Sequence, residues 1–188
     1  MREHGGVQPT DAPVPVFVAG ISGSGPDHWQ ALWHAELPHG VWVEHASWDE
    51  PVRDEWVTDL DAALRGTAGP KVLVAHSLGC TVVTEWAATH TDASVVAALL
   101  VAPPDVHAPA FPAAAHGFDA PLRRRMPFRT VVVTSQDDPY GTPGHAARLA
   151  ADLGAELVDV GPLGHINSDS GLGAWPQGRA LLDDLLAR

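Results

Sequence analysis

Six short apolar runs punctuate this chain, and between them lie longer stretches whose apolar residues recur every three or four positions. The runs at residues 14–19, 41–45, 71–75, 95–101, 128–134 and 155–160 are rich in Val, Leu and Ala and read as strands. The fourth is apolar throughout, as a strand buried on both faces should be. The intervening stretches read as helices over about 27–37, from Pro51 to 65, 78–90 and 143–153, with a last helix ending near 187. In the first of these, Trp29, Leu32, Trp33 and Leu37 fall on one face. Asp49, Glu50, Asp54 and Glu55 cluster at the start of the second, where they suit the helix dipole. Strands alternating with helices predict an α/β fold with a parallel, doubly wound sheet.

One stretch breaks the rhythm. Residues 102–127 hold six prolines and no clear period, which predicts an ordered loop or a minimal lid. Phe111, Phe118 and Leu122 within it either line a pocket or cover the core edge, and Arg123-Arg124-Arg125 reads as a solvated face. Residues 1–13, rich in Gly, Pro and polar residues, read as a flexible tail preceding one domain over 14–188.

Length and charge narrow the function classes. A chain of 188 residues is sized for one sheet covered by helices on both faces. Its net charge of −12 disfavours nucleic acid and anionic membrane surfaces as partners. No apolar run approaches transmembrane length and no signal pattern opens the chain, so a cytoplasmic protein is expected. The single cysteine, Cys80, fits a reducing compartment and reads as a small buried filler. The excess of Arg over Lys, with abundant Ala, points to a GC-rich bacterial genome. The histidines show no metal-ligand spacing, so no metal is expected, and no cofactor.

The chemistry centres on Ala75-His76-Ser77-Leu78-Gly79, where the strand pattern gives way to a helical one. Two readings fit this segment. In one, small residues on either side of Ser77 allow a sharp strand-to-helix turn, a nucleophile elbow, with the Leu78 N–H as an oxyanion donor. In the other, Ser77 is the N-cap of an ordinary βα unit. The rest of the chain favours the first. In a parallel sheet, functional residues gather at the carboxyl ends of strands. Ser77 follows the third strand, Asp137-Asp138 the fifth and His165 the loop after the sixth, so all three emerge on one edge. Serine needs an imidazole to take its proton, and the imidazole needs a carboxylate to fix its tautomer. Asp138, stiffened by Pro139, is preferred for that role, with Asp137 the alternative. His76, adjacent to Ser77 in an extended strand, is expected to point the other way and to be structural. The glycine-rich turn 20–25 brings backbone close to something: either Ile21 supplies a second oxyanion donor or, less in keeping with its spacing, the turn cradles a phosphate.

Four segments carry a resemblance. Pro26-Asp27-His28-Trp29-Gln30, Ala75-His76-Ser77-Leu78-Gly79, Ser135-Gln136-Asp137-Asp138-Pro139-Tyr140 and residues 164–176, opening with Gly164-His165-Ile166-Asn167, resemble those of the YdeN and retinoblastoma-binding-protein-nine-like serine hydrolases. That group is a small branch of the α/β-hydrolase superfamily, and the likeness runs from about Val16 to Gly178. It implies a three-layer sandwich with a six-stranded, mostly parallel sheet in the order 2-1-3-4-5-6 and no large cap. It also implies Ser77, Asp138 and His165 as the triad and activity on small esters. Two positions depart from the pattern: Ala75 replaces the first elbow glycine, and Ala19-Gly20 stands where many α/β hydrolases have His-Gly. Ser22, His28, Trp29 and Trp175 are candidate pocket residues, although His28 and Trp29 suit a helix cap and a core position, and Trp175 suits bracing of the histidine loop. The expected partner is a small-molecule acyl substrate, for a monomer or small homo-oligomer. The alternative is an interaction module that keeps the fold with little or no catalysis.

Overall fold

The computed structural model describes residues 12–187. Most of the expected N-terminal tail therefore lies outside the described residues, and Pro13 is already buried. In chain order the elements are β1 (Val14–Val18), α1 (Trp29–Glu36), β2 (Val41–Trp42), α2 (Arg53–Gly66), β3 (Lys71–His76), α3 (Leu78–Thr89), β4 (Val95–Val101), β5 (Arg129–Thr134), α4 (Pro143–Leu153), β6 (Glu156–Asp159) and α5 (Pro176–Leu186), with a short 3-10 turn at Ser168–Ser170. The strands form one parallel sheet in the order β2-β1-β3-β4-β5-β6.

Strand alternation divides the core into two layers. Val16, Val18, Leu73, Ala75, Ala98 and Leu100 face α2, α3 and α4, where Trp56, Leu60, Val83, Trp86 and Leu149 pack on them. Phe17, Val72, Val74, Leu99 and Val133 face the other way, toward Trp29 and Trp33 of α1 and Leu182 and Leu185 of α5. Among the described residues, no helix is long and apolar enough to cross a membrane.

Two element boundaries differ from the sequence expectation for visible reasons. β2 pairs through only Val41 and Trp42, because its neighbour β1 ends at Val18 and turns away; Val43 N donates the last rung to the Phe17 carbonyl at 3.0 Å. Helix α1 begins at Trp29 rather than Asp27, because the His28 ring caps it, Nδ1 accepting the Gln30 N–H at 3.1 Å.

Segment 102–127 contains no regular element, yet it is held at several points through its own main chain. Asp105 N donates to the Tyr140 carbonyl at 2.8 Å, and His116 exchanges bonds with Pro51 and Arg53 at 2.8 and 3.0 Å. Leu122 N donates to the buried Glu85 carboxylate at 2.7 Å, and Met126 N to the Leu153 carbonyl at 2.9 Å. Of its three apolar candidates, Phe118 is fully buried in the core, Leu122 is half exposed, and Phe111 reaches the site described next. Arg124 and Arg125 are exposed, as expected of a solvated face.

Candidate active site

Ser77 occupies the junction of β3 and α3 with φ 54° and ψ −125°, a conformation that L-residues rarely adopt. Small neighbours make the turn possible. A Cβ on Gly79 would overlap the Val18 carbonyl oxygen, and one on Gly20 would stand 2.8 Å from the Ser77 Cβ. The glycine-rich turn thus closes on Ser77 itself, which answers why the chain must come close there. Ser77 N donates to the Val101 carbonyl at 3.0 Å, anchoring the elbow to β4.

Three side chains from three strand ends converge. His165 Nε2 lies 2.8 Å from Ser77 Oγ, and His165 Nδ1 lies 2.9 Å from both carboxylate oxygens of Asp138. A carboxylate can only accept, so Nδ1 carries the proton and Nε2 is free to accept the Ser77 hydroxyl. Asp138 is buried and also accepts the Tyr140 N–H at 2.9 Å. The acid next to it does different work. Asp137 Oδ1 accepts the Gly164 N–H at 2.7 Å and the Ser135 hydroxyl at 2.9 Å, and the Gly164 bond is the main cause that holds its pKa below the ordinary carboxylate value. Of the pair weighed from sequence, Asp138 therefore touches the imidazole, and Asp137 ties the histidine loop to the β5 turn.

That loop is pinned from the other side as well. Trp29 Nε1 donates to the Ile166 carbonyl at 2.8 Å, His76 Nε2 to the His165 carbonyl at 2.9 Å and Trp33 Nε1 to the Ala174 carbonyl at 2.7 Å.

A cavity of about 280 Å³ opens over Ser77, and Ile21, Ser22, His28 and Leu78 line it with Ser77 and His165. Leu78 N is the first N–H of α3, among those that no helical carbonyl can reach, and it faces the anion-favouring end of the dipole. Trp29 and Trp175 are corrections to the candidate pocket: both are buried and lie outside the cavity lining. Trp175 stacks on Trp33 with centroids 5.9 Å apart and packs tilted on Trp29. They brace the histidine loop because α1 presents its aromatic face to the core layer shared with Ile166.

His76 has the structural role expected of it, holding the His165 carbonyl, but is corrected in one respect, its place in the cavity wall. It is buried, lines the cavity, and sits between His28 and His165 with ring centroids 4.7 and 5.0 Å away. His76 keeps the alternation of β3, on the α1 side with Val72 and Val74 and edge-on to Trp29; what departs from it is Ser77, whose positive φ ends the extended run. Phe111, weighed from sequence as a pocket residue, lines the cavity, and so do Pro104, Pro112, Tyr140 and Asn167, which were not singled out for it. Asn167 and Tyr140 stood in segments that carried the resemblance, whereas the loop residues offered no periodic signal.

Burial sets the charge state around the triad. It lowers the His28 pKa to about 4, with repulsion from His165 adding to the effect. His76 is pushed well below its ordinary value, first by burial and then by its two histidine neighbours. Burial drives the Cys80 thiol upward, so Cys80 is not a competing nucleophile. Among the described residues, no group of three or more His, Cys, Asp or Glu side chains could hold a metal ion.

Residues 15–184 match the model of the family described as serine hydrolase. Among solved structures, the chain is similar to a YdeN-like hydrolase of Pectobacterium atrosepticum, with 26% identity, a TM-score of 0.85 and coverage of 95% of this chain and 92% of that one. It is also similar to the ydeN gene product of B. subtilis, at 19% identity and TM-score 0.82, over 94% of this chain and 100% of that one. A more distant likeness in fold is to BorB, the type II thioesterase of the borrelidin biosynthetic cluster, at 18% identity and TM-score 0.65, over 99% and 95% of the two chains. No curated protein matches the sequence.

Proposed function

Since this chain belongs to the YdeN-like serine hydrolases of the α/β-hydrolase superfamily, we propose that Ser77, His165 and Asp138 are its catalytic triad and that it hydrolyses small carboxylic esters. The observation that carries this reading is the unbroken run of hydrogen bonds from Ser77 Oγ through the His165 ring to Asp138, beneath an open cavity.

As the ester carbonyl settles over Ser77, His165 Nε2 takes the hydroxyl proton while Oγ bonds to the carbonyl carbon. Negative charge then moves to the carbonyl oxygen, where the Leu78 and Ile21 N–H groups stabilise it. Asp138 holds Nδ1–H and stabilises the imidazolium without taking its proton. When the tetrahedral centre collapses, the carbon–alkoxy bond breaks and His165 returns the proton to the departing oxygen. Water then gives His165 a proton as its oxygen attacks the acyl carbon, and the second collapse releases the acid and restores Ser77. No step calls for a cofactor. Thioesters and amides would meet the same machinery, so their rates depend on the leaving group and on how the cavity receives it. A cytoplasmic setting belongs to this reading and is supported by a lone cysteine that is buried and unpaired.

The experiment is intact-mass analysis after treatment with a fluorophosphonate, wild type beside Ser77→Ala, followed by an ester, thioester and amide panel. One adduct on the wild type and none on the variant is the expected result. A wild type that takes no adduct and turns over no acyl substrate would leave the fold as an interaction module.

A further inference from the structure

His28 holds a polar atom that no other described residue engages. The residue is 3% exposed and lines the cavity over Ser77. Its Nδ1 accepts the Gln30 N–H, so in the neutral ring the proton sits on Nε2, at the end of the ring away from helix α1. That Nε2 is buried and has no hydrogen-bond partner among the described residues. Leaving a buried N–H unpaired is costly, and capping does not require it: Ser, Thr, Asp or Asn would cap α1 at least as well. Burial and the nearby His165 keep the ring uncharged at neutral pH, so Nε2 is a donor without a formal charge.

The walls of the cavity differ. Pro104, Phe111 and Pro112 come from segment 102–127, which packs against the α2–α3 layer. Asn167, Ser168 and Asp169 come from the histidine loop, on the α1 side. His28 lies on this α1 side too, its ring against His76 and against Trp29, whose Nε1 holds the Ile166 carbonyl of the same loop. Asp169 on the same wall disfavours an anionic group there.

Building on the triad reading above, we propose that His28 is a substrate-positioning residue whose Nε2–H donates to an uncharged oxygen of the substrate, so that the preferred esters carry a ketone, amide or ether oxygen in one chain. The apolar wall receives the plain hydrocarbon part and the polar wall the oxygen-bearing part. His28 acts on binding and orientation, and Ser77 and His165 do the bond-making.

Wild type, His28→Asn and His28→Gln are compared by titrating released acid from two matched pairs: ethyl pentanoate with ethyl levulinate, and butyl acetate with methoxyethyl acetate. Asn keeps the helix cap but is too short to donate from the Nε2 position, whereas the longer Gln amide reaches it. In at least one pair the wild type favours the oxygen-bearing ester in kcat/KM. That preference falls about tenfold in His28→Asn, mainly through KM, and is partly restored in His28→Gln. Equal preferences in all three proteins for both pairs would overturn the proposal, as when water alone meets the N–H. A wild type inactive on every ester would instead defeat the triad reading, and this inference with it. If the Asn variant loses its melting transition, imidazole nitrogen NMR of the unsubstituted protein decides. The His28 Nε2–H line moves downfield when Ser77 carries a keto-chain phosphonate rather than an alkyl one, and an unchanged line refutes the contact.

Discussion

Asp137 and Gly164 are joined by a 2.7 Å hydrogen bond from backbone N–H to carboxylate, and it fixes the residue immediately before His165. The adjacent acid, Asp138, grips the His165 ring instead. Two neighbouring carboxylates thus serve the same histidine in different ways.

Their substitutions should separate accordingly. Asp138→Asn offers an amide where Nδ1–H needs an acceptor and disturbs the imidazole tautomer, so kcat is expected to fall by roughly 10⁴-fold. Asp137→Asn keeps an oxygen for Gly164 and should cost no more than about tenfold. Steady-state kinetics on one ester checks both, and equal losses would contradict the division of roles.

Ser77→Ala should abolish turnover and leave the fold intact, since the residue contributes one hydroxyl at a cavity floor. Ser77→Gly should be at least as stable as Ser77→Ala, by about 1 kcal/mol, because glycine accepts φ 54° without the Cβ penalty. Urea unfolding of the two variants measures the difference.

Gly79→Ala is expected to be far more harmful than its size suggests, at about 2–4 kcal/mol of stability. The new methyl would meet backbone, the Val18 and Ala19 carbonyls, which no side-chain rotation can relieve. Ala75, the other small residue of the elbow, is tolerated as a methyl because it points into the α2–α3 core layer.

Acid should weaken the protein in a definite window. His28, His45, His76 and His145 all have lowered folded-state pKa values, with burial the leading cause in each. Below the ordinary value of 6.5 the unfolded chain binds protons that the native rings refuse, so stability present above that pH is lost as pH falls. For His28 the loss runs from about 6.5 down to about 4 and amounts to about 3 kcal/mol. Urea midpoints taken from about pH 7.5 to about 5 should decline, and less steeply in His28→Asn.

Trp29→Phe keeps the aromatic packing but removes the donor to the Ile166 carbonyl, leaving a buried oxygen unpaired at the histidine loop. A loss of about 1–2 kcal/mol is expected, with kcat falling more than KM rises. Thermal melting and ester kinetics on the same preparation test this.

Much of this arrangement is legible in the sequence. The short apolar runs mark the strands, and Ser77, Asp138 and His165, after the third, fifth and sixth of them, fall on one edge. What escaped was set by tertiary contact. His76 keeps its place in the strand alternation, and the cavity wall it joins is built with His28 and His165 from distant segments, which a strand pattern cannot express. The tie from Asp137 to Gly164 spans 27 residues and leaves no local trace. β2 shortened because its partner ended, a property of β1 rather than of β2. Trp29 and Trp175 matched distinctive segments for reasons of bracing, which sequence alone does not separate from contact with substrate.

The attachments of segment 102–127 have an evolutionary consequence. On the segment's own side the hydrogen bonds at Asp105, His116, Leu122 and Met126 are made by main-chain atoms, and side chains add the Asp105–His145 and Arg123–Asp152 pairs and the buried Phe118. None of these moorings runs through the side chain of Phe111 or Pro112, so both can vary while the segment hangs from the same hooks. Lineages descending from this scaffold, or a laboratory library confined to those two positions, could explore new acyl or alcohol shapes without renegotiating the fold.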